Sequence, residues 1–263
     1  MTQTTSPISP SWLARANALR PQFASASPFP HLVLDDFLSP DLAGRLHDDF
    51  PSISRMPKSR DYLFGNKHEL SSIEHVGAAG REVYDCLMSV QFREFLVAAT
   101  GRNVFIDPMF HGGGFHQSGN KGFLDFHVDF NVHPLHGDWL RTLNVLLYLN
   151  RDWRPEYGGY LMLKNAIAAE PIEIAPVFNR AVIMLTGDAT YHAVSALSVP
   201  EGVTRKSLAA YAYEQITIGA VRSRTTGWAP QGAGLTKRLL ARYYDRLVRI
   251  KTRFLGSGTA KNR

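Results

Sequence analysis

The chain has 263 residues, of which 44% are hydrophobic and 11% aromatic, and its formal net charge at pH 7 is +6. A chain of this length can bury a sizeable core as a single domain. Its one cysteine, Cys86, excludes an intramolecular disulfide and a cysteine-rich zinc or iron–sulfur site, and is typical of a reducing compartment.

Residues 1–28 are predicted to form a polar leader that contains a short helix near residues 12–19. Residues 1–10 are rich in Ser, Thr and Pro but lack the basic region and apolar core of a signal peptide. No stretch of the chain reaches the roughly 18 apolar residues of a membrane span. We therefore expect a cytoplasmic protein. Because Pro28-Phe29-Pro30 interrupts any helix, we expect the fold to begin after it.

Residues 29–220 are predicted to form one domain, in which residues 29–103 provide helical support. Residues 31–34 read as a strand, and Ser39-Pro40-Asp41 supplies the N-cap, first-turn proline and acid of a helix that runs to about residue 50. A second helical stretch is expected at about residues 72–100, where apolar residues recur at helical spacing.

Residues 104–216 carry the pattern of an antiparallel double-sheet barrel. Short apolar and alternating runs are separated there by Gly, Pro, Asn and Asp turns. The predicted fold is therefore mainly β with flanking α: a double-stranded β-helix (jelly roll, cupin-like), supported by N-terminal helices and a C-terminal helix.

The motif His127-Val128-Asp129 lies within this barrel, and His192 follows much later. On a strand His127 and Asp129 point to the same side, so two metal ligands can come from one strand end. Two imidazoles and one carboxylate form the ligand set that holds non-haem Fe(II) and leaves positions open for other ligands. A His-x-Asp pair by itself is more often a surface histidine beside a solvated acid. The surrounding motifs therefore determine whether this pair is interpreted as a metal site.

Several further motifs follow in a fixed order. They are the segment Tyr148-Leu149-Asn150-Arg151-Asp152-Trp153, the pair Gly158-Gly159 and the strand Arg205-Lys206-Ser207-Leu208. This order resembles the prolyl 4-hydroxylase-like branch of the Fe(II)- and 2-oxoglutarate-dependent dioxygenases. The likeness covers roughly residues 29–214, and a set of motifs in order is far more specific than any one of them.

The resemblance implies roles for individual residues. His127, Asp129 and His192 are the implied iron ligands, and Arg205 is the implied partner of the distal carboxylate of 2-oxoglutarate, to which its planar guanidinium can donate two hydrogen bonds. Lys206 is the neighbouring candidate, but on a strand only one of the two cations can face the barrel interior. The further co-substrate contacts that we expect are Tyr148, Asn144 and Ser207. The implied cofactors are Fe(II), 2-oxoglutarate and O2, with ascorbate in a supporting role.

The activity that the resemblance implies is hydroxylation of an unactivated C–H bond, with release of succinate and CO2. Asp129 argues against the halogenase variant of the family, in which a small residue replaces the carboxylate. Two alternatives stay open: a cupin-like metalloenzyme that does not use 2-oxoglutarate, and a non-catalytic jelly-roll binding protein.

The substrate is expected to be a polar small molecule, an amino acid or a carrier- or peptide-bound residue, with a prolyl peptide as the leading named alternative. Specificity depends on the loops at residues 112–126, 131–140 and 166–176. Candidate substrate contacts are His116, Gln117, Lys121, Arg141 and Trp153. The other histidines nearby, His133 and His136 in the second loop and His111 just before the first, are expected to be structural or pocket-lining.

Residues 221–263 are predicted to be a basic extension with an amphipathic helix at residues 235–254. Residues 222–263 carry a net charge of +10, so the remaining chain carries −4. We expect this helix to pack on the barrel and to expose a basic face to solvent. The alternatives are contact with an acidic partner or with an anionic membrane surface. No specific nucleic acid is expected, because no recognition motif accompanies the charge.

Overall fold

The computed structural model describes residues 7–56, 58–167, 170–230 and 236, and for residues 58–62 it describes the backbone alone. No helix in this part of the chain is long and apolar enough to cross a membrane. Apart from residue 236, the predicted C-terminal helix at 235–254 lies outside the described residues. Its predicted contact with an acidic partner or a membrane surface therefore stays a prediction.

The helix near the N-terminus is longer than predicted and is part of the fold. It spans Pro10–Ser25 (α1) and buries Leu19 and Phe23 in the main hydrophobic core. The expectation that the fold begins after Pro30 is therefore wrong. The spacing of so few apolar residues on a mostly exposed helix is too weak a signal to reveal this docking.

The other α-helices with bounds in the described part of the chain are Pro40–Asp48 (α2), Gly77–Met88 (α3) and Val90–Thr100 (α4). The N-terminus of α2 is as predicted, because the Ser39 hydroxyl accepts a hydrogen bond from the Leu42 amide. The single helical stretch predicted at 72–100 is wrong. Ser89 ends α3 and caps α4, since its hydroxyl donates to the Cys86 carbonyl and accepts from the Phe92 amide. Short 3-10 turns occur at Ile53–Arg55, Ile73–His75 and Pro155–Tyr157.

Thirteen strands form one antiparallel sheet in the described part of the chain. They are His31–Leu34 (β1), Lys58–Tyr62 (β2), Gly65–Leu70 (β3), Phe105–Ile106 (β4), Gly114–Ser118 (β5), Phe123–Val128 (β6), Trp139–Tyr148 (β7), Leu161–Lys164 (β8), Ile172–Ile174 (β9), Arg180–Leu185 (β10), Tyr191–Val194 (β11), Arg205–Gln215 (β12) and Gly227–Trp228 (β13).

The strand order is β1-β10-β7-β12-β5-β3-β6-β11-β8-β9, with β2 paired to β3, β4 to β12 and β13 to β6. The β2–β3 hairpin was not predicted, because its sequence is dominated by charged and polar residues and lacks alternating apolar positions. The mainly-β jelly roll with flanking helices is confirmed.

The central strands β7 and β12 separate two cores. Side chains on one face, such as Leu147 and Leu208, pack with Leu42, Phe92 and other helix residues in the main core. On the other face Tyr148 joins a smaller core with Leu161, Leu163, Val182 and Met184. Burying each such side chain contributes roughly 1.5–3 kcal/mol. The alternation therefore directs one face of β7 and β12 to the helices and leaves the other face to line the barrel.

Candidate active site

His127, Asp129 and His192 lie together in the barrel. Each offers a ligand atom, and these atoms all lie within 4.8 Å of one another. The two histidines come from neighbouring strands, because His192 of β11 pairs in register with His127 of β6. Within the described residues this is the one group of His, Cys, Asp or Glu side chains with metal-ligand spacing.

Hydrogen bonds orient both imidazoles toward the centre of this cluster. The Nδ1 atom of His127 lies 2.9 Å from the Asp125 carbonyl oxygen, so it carries the proton and leaves Nε2 as an electron-pair donor. The His192 ring bonds to the Thr190 backbone. Burial, with a smaller effect of His127, lowers the pKa of His192 to about 3, so His192 is neutral. Two imidazole nitrogens and a carboxylate form a ligand set that fits Fe(II).

The Asp129 carboxylate is held by two polar neighbours from β7. Its Oδ2 atom accepts a hydrogen bond of 2.8 Å from Asn144 Nδ2 and lies 2.9 Å from Nη2 of Arg141. Arg141 also donates to Asn144 Oδ1 through Nε and Nη2 and stacks over the Tyr211 ring, 3.4 Å from its centroid. Burial raises the pKa of Asp129, but Arg141 and then His192 outweigh it, and the pKa falls well below its usual range.

This network changes the predicted placement of two residues. Asn144 was expected beside the co-substrate, but it bonds to the Asp129 carboxylate. Arg141, a candidate substrate contact, is bound to the same carboxylate and is almost fully buried. Both residues therefore support a candidate metal ligand.

Arg205 lies further along the inner face of β12. Its Nε atom donates a 2.6 Å hydrogen bond to the Gly159 carbonyl, and its Cζ atom is 4.9 Å from the centroid of the Tyr148 ring. Arg205 is 7% exposed, and no acid of the described residues lies within ion-pair distance of it. Burial lowers the pKa of this guanidinium. A buried cation without an anion is costly.

Tyr148 and Ser207 complete this end of the barrel. They lie opposite each other across β7 and β12, on the same face as Arg205. The Tyr148 hydroxyl is fully buried and has no hydrogen-bond partner of normal geometry within the described residues. This end of the barrel therefore presents a guanidinium, a phenol and a serine hydroxyl, which are donors suited to a carboxylate.

The predicted alternation along β12 is confirmed. Lys206 points away from the barrel, with its Nζ atom 5.7 Å from the centroid of the Phe50 ring, whose side chain belongs to the helix-side core. Only Arg205 of the two cations faces the interior.

Steric crowding near Arg205 explains why a glycine occupies position 159 of the Gly158-Gly159 pair. Gly159 has a φ of +68°, and a Cβ there would lie 3.0 Å from Arg205 Cδ and 3.2 Å from Trp153 Cζ2. Trp153, a candidate substrate contact, instead donates from Nε1 to the Gly158 carbonyl. Gly159 therefore lies close to both the Arg205 and the Trp153 side chains, with no room for a side chain of its own.

The three remaining substrate candidates lie in different places. His116 pairs with Ser207 across β5 and β12 and faces the interior, where its Nε2 atom is 3.8 Å from buried Glu69. Gln117 lies on the opposite face of β5 and donates to the Thr204 hydroxyl. Lys121 is exposed in the turn between β5 and β6. The structure therefore brings only His116 of these three into the barrel.

Sequence reasoning missed a segment that covers the triad. Residues 222–229, which we call the C-terminal strap, run beside the end of β6 and include β13. The Trp228 ring lies 4.9 Å from the His127 ring and stacks on Phe64. The Arg224 guanidinium donates to the Asp129 carbonyl. Neither residue lies in a recognisable motif, so only the long-range pairing of β13 with β6 reveals them.

The other predicted histidines pack into an aromatic cluster. The Nε2 atom of buried His133 lies 3.4 Å from Asp107 Oδ2, and the His136 ring stacks on Trp139 at 3.9 Å. The ring of His111 contacts His133.

Residues 113–213 match the family model of the 2OG-Fe(II) oxygenase superfamily. The matched segment contains the whole triad and Arg205, and the predicted resemblance is confirmed at the level of the superfamily over these residues. No protein with a curated description matches the chain.

Solved structures of prolyl hydroxylases share the fold. One from Trichoplax adhaerens, in complex with a peptide fragment of the hypoxia inducible factor oxygen degradation domain, is 16% identical with a TM-score of 0.57, over 77% of this chain and 90% of that chain. A prolyl-4-hydroxylase from Pseudomonas putida is 18% identical with a TM-score of 0.55, over 76% and 100%. One from Phytophthora capsici is 15% identical with a TM-score of 0.56, over 81% and 67%.

Proposed function

We propose that this protein is an Fe(II)- and 2-oxoglutarate-dependent dioxygenase that hydroxylates an unactivated C–H bond. The observation that carries the proposal is buried Arg205, which has no acidic partner in the described residues and faces the barrel that also holds the His–Asp–His triad. A buried guanidinium of this kind is stabilised by a bound carboxylate. A ligand with two carboxylates offers one anion for this guanidinium and a second for the metal that the triad would hold.

The residues of the chain act at the two ends of this ligand. Arg205 binds the distal carboxylate through its guanidinium fork, and the Tyr148 hydroxyl is placed to donate a further hydrogen bond to it. His127, Asp129 and His192 would hold the metal. Asn144 and Arg141 keep the Asp129 carboxylate ionised and fix its orientation.

When bound, Fe(II) and 2-oxoglutarate supply the oxidising chemistry: as O2 is consumed, one oxygen atom enters succinate while CO2 leaves, and the other enters the substrate C–H bond. The surrounding residues contribute geometry and exclusion of water. Phe130 and Tyr211 cover Arg141, and Trp228 covers His127. Ascorbate would serve to keep the iron reduced.

The substrate that we propose is polar: a small molecule, an amino acid or a peptide- or carrier-bound residue. Polar side chains on the inner face support this choice. The Lys67 Nζ atom lies 2.7 Å from Glu69 Oε1, and His116 lies beside the same carboxylate. A prolyl peptide is the named candidate, because the structures with the same fold include prolyl hydroxylases. A cytoplasmic location remains a prediction.

The test is isotope-labelled turnover by the full chain. Purified protein with Fe(II), ascorbate, 2-oxoglutarate and ¹⁸O2 is incubated with a metabolite and peptide extract. We expect one labelled oxygen in succinate and one in a product that gains a single oxygen atom. His192→Ala is the matched inactive control. A wild-type protein that binds neither Fe(II) nor 2-oxoglutarate would exclude the proposed function.

A further inference from the structure

The C-terminal strap is attached to the strand that carries two members of the triad. The Asn131 amide donates to the Arg224 carbonyl, and the Arg224 amide donates to Asn131 Oδ1 at 2.7 Å. Further along the strap, the Ala229 amide donates to the Phe126 carbonyl at 2.7 Å. Residues 126–131 therefore have the strap as a neighbour on both sides of His127 and Asp129.

The side chains of the strap reach all three segments that bear the triad. Trp228 packs its ring against His127. Arg224 donates to the Asp129 carbonyl and, through Nε and Nη2, to Asp188 Oδ1 at 2.9 Å. Asp188 belongs to a tight turn in which Thr190 Oγ1 bonds to Gly187, and the backbone of Thr190 in turn bonds to the His192 ring.

We propose that Arg224 is a positioning residue for the triad, and that docking of the C-terminal strap and binding of the metal strengthen each other. This inference rests on the proposed metal centre. One guanidinium connects the segment of Asp129 to the turn before His192, and its planar fork can hold both partners at a fixed spacing. Asp188 is largely exposed, so its ion pair alone contributes little free energy. The bridge therefore acts mainly through geometry.

The coupling has a thermodynamic consequence in both directions. If the docked strap holds the ligands in place, loss of Arg224 weakens metal binding. By reciprocity, metal binding must then stabilise the docked strap by the same factor. A purely structural role for Arg224 would not link strap protection to the metal.

The first experiment measures the affinity of the full chain for Co(II), used alone as the probe. We expect Arg224→Gln to bind Co(II) about 10 to 100-fold more weakly than the wild type. The matched control is Arg222→Gln, which removes the same charge from the same strap. The Arg222 side chain is exposed and makes no hydrogen bond or ion pair within the described residues, so its affinity should stay within about twofold of wild type.

The second experiment measures hydrogen exchange of the Asn131 and Ala229 amides with and without Co(II). We expect Co(II) to slow both in the wild type and in Arg222→Gln, and to slow them much less in Arg224→Gln. If Arg224→Gln fails to fold, Arg224→Lys, which keeps the charge but lacks the planar guanidinium fork, should show an intermediate loss of affinity.

Wild-type affinity in the Arg224 variant, or exchange rates that Co(II) leaves unchanged in the wild type, would overturn this inference and leave the proposed function standing. A wild-type protein that does not bind Co(II) would overturn the metal centre itself.

Discussion

Buried charge is compensated at one end of the barrel interior and uncompensated at the other. At the triad end, the Asp129 carboxylate has Arg141 and Asn144 as hydrogen-bonding partners, and its charge is compensated. At the other end, Arg205 is equally buried, but the neighbours of its guanidinium among the described residues are neutral: the Gly159 carbonyl, to which Nε donates, and the Tyr148 phenol. Tyr148, beside Arg205, has a buried hydroxyl with no partner of normal geometry.

This difference distinguishes a pre-organised metal ligand from a candidate anion-binding site. A compensated carboxylate keeps its charge and orientation before a metal arrives. An uncompensated guanidinium lowers stability until an anion binds, so part of the favourable free energy of anion binding is the removal of that penalty. The comparison predicts that removal of the cation, Arg141 at one end and Arg205 at the other, has opposite effects on stability.

The largest effect is expected for Arg141→Met. This change removes the cation beside Asp129 and leaves the buried carboxylate with Asn144 and the two triad histidines as neighbours, so we expect a loss of about 3–5 kcal/mol in the free energy of unfolding. Urea denaturation monitored by circular dichroism measures it. The exposed Arg222→Met is the control and should change stability by less than about 0.5 kcal/mol. A loss below 1 kcal/mol for Arg141→Met would mean that the carboxylate is compensated by other groups.

The effect of a metal ion on stability tests the triad end of the barrel. Mn(II) at a hundredfold excess over its dissociation constant should stabilise the wild-type protein by about 2.7 kcal/mol. His192→Ala removes one ligand and should abolish the gain, and a chelator should reverse it in the wild type. Equal stabilisation of both proteins by Mn(II) would place the metal elsewhere.

A smaller effect is expected for Gly159→Ala, at the Arg205 end. The new Cβ would press on Arg205 Cδ and Trp153 at a positive φ, so we expect about 1–3 kcal/mol of destabilisation together with weaker 2-oxoglutarate binding. Gly202→Ala is the matched control, because Gly202 also has a positive φ but no atom lies within 4 Å of the added Cβ. The control should share the backbone strain and keep normal 2-oxoglutarate affinity. Equal affinities in both variants would show that Arg205 is not held by Gly159.

The local features of the site were predictable from the sequence. Strand alternation placed His127 and Asp129 on one side and separated Arg205 from Lys206, because a period of two is a property of every strand. The N-cap at Ser39 is likewise encoded within a few residues. The motif order then indicated the family that residues 113–213 match.

The features that the sequence did not reveal are contacts between distant segments. Arg141 and Asn144 reach Asp129 across the barrel, and Arg224 reaches it from 95 residues away. Neither charge patterning nor periodicity reports such pairs, since both signals are local. The same limit explains why the docking of α1 was not predicted: its buried residues contact a core formed by distant parts of the chain.

The most direct test of the central claim is the stability of Arg205→Met with and without 2-oxoglutarate. Methionine fills much of the same volume without a charge, so the variant should be as stable as the wild type or more stable in the absence of ligand. With Mn(II) present, 2-oxoglutarate should stabilise the wild type and Lys206→Met but not Arg205→Met. If Arg205→Met were strongly destabilised without ligand and still gained full stability from 2-oxoglutarate, Arg205 would be a structural residue and the proposed co-substrate site would be wrong.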